Sequence, residues 1–317
     1  MTAPAGPTSD DRTPIGIVVV NYASSALIEA NLAPVDLVDA RVVVVDNLST
    51  PAERQAVRAV AGRHGWALVE MPGNLGFGSG VNAGVAKARE LGCGCFLLLN
   101  PDAMVSAETV AALRRACLDD PMVLVAPQLV DLDDRVVSAG STLNLVDGRI
   151  RGLRAATADP DPRARPVSWL TAACLAVSAD LWSLTGGFDE GYFMYWEDVD
   201  FGYRAAGVGG RVRLREDLTA VHDQGGTQGP RRGRAKSSLY YFYNCRNRLL
   251  FGLRHLDRTA LVRWLVSTPR VSWEVLLRGG RRQLLVQPRL AWSALTGAAA
   301  GMWLAARHLA RPATWTR

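Results

Sequence analysis

The sequence predicts an α/β fold: an open, mostly parallel sheet flanked by helices, followed by a basic helical C-terminal region. Three observations carry this. Apolar runs rich in Val, Ile and Leu recur without polar alternation, as "IGIVVVNY" at 15–22, "ARVVVVDN" at 40–47 and "CFLLLNPDA" at 95–103; such strands are buried on both faces. Segments with helical signals lie between them, the pattern of a parallel sheet. Charge is also segregated: Pro230–Arg317 holds 17 basic and 2 acidic residues, which leaves residues 1–229 at −9 in a chain of net charge +6.

Each element has its own signal. "MTAPAGPTSDDRTP" (1–14) has no apolar core and reads as a disordered leader, not a secretory signal. The strand at 15–22 leads into a helix at 24–38, a strand at 40–47, a helix at 51–64 and a strand at 66–72. "SGVNAGVAKARELG" (79–92) is a helix ending at Gly92, and the strand at 95–103 follows. At 106–120 a helix starts with Ser106 as N-cap and Glu108 in its first turn, before a strand at 122–130. The pattern then loosens into hairpins, a flexible loop at 159–166, a strand, a helix with Ser178 as a cap and a turn at Gly186-Gly187. The Gly-rich stretch 219–234 reads as mobile, and helices from Ser237 onward break at Pro269, Gly279-Gly280 and Pro288. The domains expected are 15–236 and a basic, aromatic-rich helical region at 237–317. The five scattered cysteines have no metal-type spacing and read as reduced, mostly buried thiols.

Ligands of such sheets sit at the carboxyl ends of the strands. Here these ends are Asn21-Tyr22, Asp46-Asn47 and Asn100-Pro101-Asp102, each polar after an apolar run. Any one of them is an ordinary turn or cap; three on one rim suggest a binding site. Two chemistries fit. Gly78-x-Gly80-x-x-Ala83 with Asp102 beyond it matches a dinucleotide fingerprint, which suggests an NAD(P)-dependent oxidoreductase. That fingerprint belongs to the first strand-to-helix turn, however, and here it follows three strands. Alternatively, Asp102 at a strand end holds Mg²⁺ or Mn²⁺ against a nucleoside diphosphate.

"GYFMYWEDVDFGYR" (191–204) favours the second chemistry. Glu197, Asp198 and Asp200 sit among six aromatics, although carboxylates normally go to water. Asp200 and Arg204, spaced i,i+4, make an exposed pair. Glu197 and Asp198 supply an acceptor base whose pKa is lifted by apolar surroundings, and His222 serves the leaving diphosphate.

In their order and spacing "VVVNY", "VVVVDNLST", "GNLGFGSGVNAG", "LLLNPDA", "GGFDEGYFMYWEDVDFGYR" and "VHDQGGT" resemble family 2 glycosyltransferases, most of all the rhamnosyltransferase-like branch of bacterial cell-wall and polysaccharide synthesis. The resemblance spans roughly residues 15–255. It implies a GT-A fold and inverting, metal-dependent transfer from a nucleoside-diphosphate sugar, dTDP-rhamnose being favoured, to a glycan or polyprenyl-diphosphate-linked acceptor. It implies that Asn21 and Tyr22 border the nucleotide, that Asp46 receives the base N–H, and that Asn74, Gly76 and Asn82 line nucleotide and ribose, with Asn100 beside the donor. Asp102 carries the metal, supported by His222. Asp198 is the base with Glu197 beside it, and Trp169, Tyr195 and Trp196 form the acceptor side. Leu48 and Ala172 stand where the family commonly has Gly, and Asn100 lacks the charge of a full Asp-x-Asp metal element. A non-catalytic nucleotide-sugar binder would keep the pocket but need no base.

The C-terminal region adds a partner expectation. Arginines interleave with Trp264, Trp273, Trp292, Trp303 and Trp315, as in helices lying in a lipid headgroup layer. "LAWSALTGAAAGMWLAA" (290–306) is short for a membrane span. Peripheral contact with the cytoplasmic face of the plasma membrane is expected. Nucleic acid is not expected, because no recognition fold accompanies the charge.

Overall fold

Strand β1 (Ile15–Asn21) is the centre of the parallel half of the sheet, pairing with β2 (Ala40–Asp46) on one side and β4 (Cys95–Leu99) on the other. The computed structural model describes residues 13–152, 166–223 and 236–310. The expected leader up to Arg12, the loop at 159–165, most of the Gly-rich stretch and Trp315 lie outside the described residues. β3 (Ala67–Glu70) pairs with β2 at the sheet's edge. Helices α1 (Ser25–Leu32), α2 (Pro51–His64) and α3 (Phe77–Glu90) connect these strands. α2 has the bounds its sequence dictates: Thr50 accepts from the Glu53 amide, Pro51 opens the first turn, and Gly65 closes it at φ 64°.

After the turn at Asn100–Asp102 come β5 (Ala103–Val105), α4 (Ala107–Asp119) and β6 (Val123–Val130). β7 (Val136–Ser138) folds back on β6, while β8 (Ser141–Asn144), β9 (Ile150–Gly152) and β10 (Pro166–Trp169) make a small antiparallel sheet. β11 (Cys174–Ser178) inserts antiparallel between β4 and β6. Helices α5 (Ala179–Thr185) and α6 (Glu197–Gly207) follow, then β12 (Arg211–His222), parallel to β6 and antiparallel to β5. Among the described residues the main sheet has nine strands, in the order β3-β2-β1-β4-β11-β6-β12-β5 with β7 beside β6. The stretch 219–222, expected to be mobile, is the end of β12. Apolar layers cover both faces: Ile17, Val44 and Leu97 point into one, Val18, Val45 and Leu98 into the other. All five cysteines are free and buried.

The C-terminal helices are α7 (Ser238–His255), α8 (Arg258–Leu277), α9 (Arg281–Val286) and α10 (Arg289–Ala310). Two expectations are corrected here. The break between α7 and α8 falls at Asp257, whose side chain accepts from the Ala260 amide, and α8 runs straight through Pro269. Side chains stitch that turn: the Trp264 carbonyl accepts from Arg248 Nη1 at 3.1 Å and from Thr268 Oγ1 at 2.8 Å. Second, "LYYFYNCRNRLLFGLRHL" is not a free interfacial helix. Leu249, Leu250 and Phe251 of α7 share a core with Tyr192, Trp196 and Trp264, and each such buried side chain stabilises the fold by about 1.5–3 kcal/mol. α10 lies against α7 through Gly297 and Gly301; a Cβ on Gly297 would overlap the Phe242 carbonyl, and one on Gly301 would sit 2.9 Å from the Arg246 carbonyl. The two backbones approach so closely only because no side chain intervenes.

Candidate active site

The polar strand ends do share a rim. Asn21 and Asp46 are register partners on β1 and β2. Both are fully buried, and the Asn21 amide donates to Asp46 Oδ1 at 3.4 Å. Arg54 of α2 donates its Nε to Asp46 Oδ2 at 2.5 Å. Asp46 therefore enters the site already clamped by a guanidinium that the sequence reading did not use. Tyr22, next along, is exposed. Asn47 holds the following loop: its Nδ2 donates to Asn74 Oδ1 and to the Gly76 carbonyl, both at 3.1 Å, and its Oδ1 accepts from the Leu75 amide at 3.1 Å.

Gly76 connects this rim to the acidic segment. Its φ is 93°, and a Cβ there would collide with the Phe193 backbone. The Phe77 amide donates to the Phe193 carbonyl at 2.7 Å. Only Gly allows both the conformation and the approach. Asn82 is corrected: its Nδ2 donates to the Phe188 carbonyl at 2.9 Å and to Glu190 at 3.1 Å, and its Oδ1 accepts from the Phe188 amide at 2.9 Å. It pins α3 to the 188–190 turn instead of facing a ribose. The dinucleotide fingerprint also fails. Its glycines lie inside α3, Gly80 packing on Val20 and Gly78 on Phe188, as helix-to-sheet contacts.

Asp102 and His222 come together as expected, because β12 pairs His222 with Ala103. His222 Nε2 lies 3.3 Å from Asp102 Oδ1, and both side chains are largely buried. His222 Nδ1 is buried with no hydrogen-bond partner among the described residues. A carboxylate and an imidazole suit a divalent cation. No group of three or more His, Cys, Asp and Glu that could hold a metal occurs among the described residues. Asn100 uses its backbone: its amide donates to the Ala173 carbonyl at 2.9 Å and its carbonyl accepts from Ala103 at 3.0 Å.

The carboxylate cluster heads α6. Asp198 Oδ2 accepts from the Ala172 amide at 3.3 Å, and Oδ1 accepts from Val199 at 2.9 Å. Ala172 directly precedes the residue that binds Asn100, so Asp198 and the Asp102 turn are tied to neighbouring links of one chain. Burial pushes the Asp198 carboxyl up to about 6, against the pull of these amides and the Thr171 hydroxyl. Burial, then the charge of Asp198, raises Glu197 well above the carboxylate range. Its Oε2 has no partner among the described residues. Asp200 is the opposite case and a correction: its pair with Arg204 at 2.6 Å is buried, not exposed. It also accepts from the Tyr192 hydroxyl at 3.0 Å and meets His255 Nε2 at 2.5 Å. Burial pushes Asp200 up, but His255 and Arg204 outweigh it and hold the carboxyl below its ordinary value.

The aromatics do desolvate the acids, yet they are mostly not sugar platforms. Trp196 is buried against Phe251 and Trp264, and Trp169 packs over Gly202. Tyr195 is half-buried, edge-on to Tyr240. Three residues escaped the sequence reading: Arg54, Asn247 and His255. For Asn247 a signal exists. Asn244, Asn247 and Arg248 fall on the buried face of α7, and buried polar groups must find partners.

Residues 17–159 match the family model of glycosyl transferase family 2. The chain is 30% identical over 221 residues to the N-acetylglucosaminyl-diphospho-decaprenol L-rhamnosyltransferase of Mycobacterium tuberculosis, covering 61% of this chain and 70% of that protein. It is 27% identical over 243 residues to the low-salt glycan biosynthesis hexosyltransferase Agl10 of Haloferax volcanii, covering 74% of each. In structure it is similar to the mannosyltransferase PcManGT from Pyrobaculum calidifontis, solved with GDP-Man and Mn²⁺ (TM-score 0.53, 19% identity, 93% of this chain and 87% of that one). The fold is that of the GT-A glycosyltransferases. The chain belongs to glycosyl transferase family 2 and is a glycosyltransferase.

The raised Glu197 carboxyl makes a stability prediction. A carboxyl raised by folding adds stability below its unfolded pKa and loses it as pH rises through the folded value. Glu197→Gln should therefore gain stability over wild type progressively as pH climbs from about 4.5. Thermal midpoints of both proteins from pH 4 to pH 9 (roughly the usable range) check this; parallel curves would mean that the Glu197 carboxyl is not raised.

Proposed function

We propose that the protein transfers a sugar, with L-rhamnose from dTDP-rhamnose favoured, to a hydroxyl of a polyprenyl-diphosphate-linked or other glycan acceptor, with inversion. The observation that carries the reading is the placement of Asp198, tied through Ala172 and Ala173 to the turn that bears Asp102; burial there pushes its carboxyl up to about 6. The rhamnosyl donor and lipid-linked acceptor are supported by the activity for which the Mycobacterium tuberculosis relative is named. In this reading Asn21, Tyr22, Asp46, Asn74 and Gly76 form the donor rim, and Asp102 and His222 hold Mg²⁺ or Mn²⁺. That cation, when bound, neutralises charge on the diphosphate.

The acceptor oxygen bonds to the anomeric carbon as the carbon–oxygen bond to the diphosphate breaks, and the electron pair leaves with the nucleoside diphosphate. The hydroxyl proton passes to Asp198. Burial and the charge of Asp198 favour the protonated form of Glu197 beside it. Asp200, locked by Arg204, His255 and Tyr192, anchors the helix that carries the base. General-base help of this kind contributes about 10²–10⁴-fold.

Membrane contact belongs to the same reading but to fewer residues than the sequence suggested. Trp264 is buried, whereas Trp273, Trp292 and Trp303 are exposed on α8 and α10, and Leu285 on α9. Exposed Arg263, Arg281 and Arg289 accompany them. No helix among the described residues is long and apolar enough to cross a membrane. The exposed rings suit the headgroup layer and the arginines lipid phosphate, at about 1 kcal/mol per basic side chain near an anionic surface.

Two measurements test this. With dTDP-rhamnose and a polyprenyl-diphosphate acceptor, turnover should rise with pH through about 6. Asp198→Asn should lower kcat by at least about 10²-fold and leave donor KM nearly unchanged. An Asp198→Asn enzyme within a few-fold of wild type would remove the base from this scheme. In liposome co-sedimentation the full chain should pellet with anionic vesicles at low salt, and a Trp273→Ser/Trp292→Ser/Trp303→Ser variant should stay in the supernatant; equal pelleting of both would refute contact through these rings.

A further inference from the structure

We infer that Asn247, on the C-terminal helix α7, is a positioning residue for Asp198, acting through the backbone of residues 192–196; the inference rests on the reading of Asp198 as base. That backbone is unusual. Phe193, Tyr195 and Trp196 all have positive φ, at 59°, 64° and 78°. Bulky side chains avoid this region, and such conformations persist only where the surroundings over-determine them. Trp196 is the residue before α6, and its carbonyl accepts from the Asp200 amide at 2.9 Å. A rotation at 195–196 would therefore swing the first turn of α6, with Glu197 and Asp198 in it.

Asn247 is what faces this strained segment. It is fully buried. Its single amide nitrogen donates to the carbonyls of Tyr192 at 2.9 Å, Met194 at 2.9 Å and Tyr195 at 2.8 Å. Two N–H groups serve three acceptors, so at least one is shared. The amide cannot turn over, because its Oδ1 accepts from Arg246 Nη1 at 2.6 Å, and that guanidinium also reaches the Gly191 carbonyl at 3.3 Å. The three carbonyls converge on one point, and without a donor there they would repel one another in a desolvated place. From the other side the Phe193 carbonyl accepts from the Phe77 amide of α3. The segment is thus gripped between the donor-side helix and α7.

A merely structural role would have a different signature. α7 is anchored independently of Asn247: Phe251 stacks on Trp264, Arg248 binds the Asp147 and Trp264 carbonyls, and His255 meets Asp200. Loss of the amide should release the 192–196 backbone and leave the helix seated. The donor rim, built from β1, β2 and the 74–76 loop, meets the segment where Gly76 packs on Phe193, whose carbonyl is held by the Phe77 amide and not by Asn247.

The test compares wild type with Asn247→Asp, which keeps the shape and the Arg246 bond but turns an acceptor toward the carbonyls, and with Asn247→Ala. Steady-state kinetics with dTDP-rhamnose and a polyprenyl-diphosphate acceptor, binding of dTDP and UDP, and amide hydrogen exchange are read on the same full-length samples. The expected result is a kcat lower by roughly tenfold to a hundredfold, the scale of a misplaced catalytic group, with donor KM and nucleotide binding within about twofold. Exchange should quicken in 190–204 and stay slow along α7. Variants that match wild type in kcat, or that lose kcat and nucleotide binding together while exchange quickens over all of α7, would overturn the positioning role. A wild type that binds neither nucleotide and turns over no sugar would instead overturn the reading on which it rests.

Discussion

The buried Asp200 makes the rest of the acidic segment possible. Three carboxylates in one helical turn, under Tyr192, Trp196 and Phe201, would repel one another and resist desolvation. The positive end of α6 relieves some of this. The larger part is met by dividing the three acids. Asp200 stays ionised because Arg204, His255 and the Tyr192 hydroxyl surround it. Burial and the charge beside it push the Glu197 carboxyl well above its ordinary value. Asp198, half-buried and supported by two backbone amides, is left between them at about 6. A single turn thereby holds one carboxyl held low by its partners, one pushed toward its neutral form and one pushed up to about 6.

This arrangement changes what the C-terminal region means. Its basic composition alone points outward, to lipid phosphate. In the structure α7 is part of the catalytic body: Phe251 lies in the core beneath Trp196, His255 completes the cage of Asp200, and Asn247 grips the turn before α6. Arg248, counted among the surplus charges, is buried under carbonyl and hydroxyl acceptors. Exposed tryptophans remain on α8 and α10, with exposed arginines on α8, α9 and α10 beside them. α10 in turn packs on α7 through Gly297 and Gly301, so the outward helices and the base share one buttress.

Much of the fold was legible because the signals are local. The runs ending at Asn21, Asp46 and Leu99 can only be buried strands, and Thr50, Pro51 and Gly65 delimit α2 without help from tertiary contacts. The meeting of Asp102 and His222 was also anticipated, from two motifs more than a hundred residues apart. What escaped was partnership. Asn82 reads as a polar residue free to bind a ligand, and only the chain 106 residues later shows that its amide is taken. Asp200 and Arg204 look like a surface pair until His255 arrives from a separate helix. Trp196 looks like a platform until Phe251 and Trp264 close over it. In each case the occupant of the pattern's other side came from distant sequence.

The division of the three acids is the claim on which base, buttress and pH dependence all rest. Carbon-13 NMR of the side-chain carboxyls across pH, with Asp198→Asn and Glu197→Gln for assignment, tests it directly. The account predicts one aspartate signal titrating near 6 that vanishes in Asp198→Asn, and one glutamate signal titrating well above the ordinary range that vanishes in Glu197→Gln. If both groups titrate within the ordinary carboxylate range of about 4, the acids are not divided and the account is wrong.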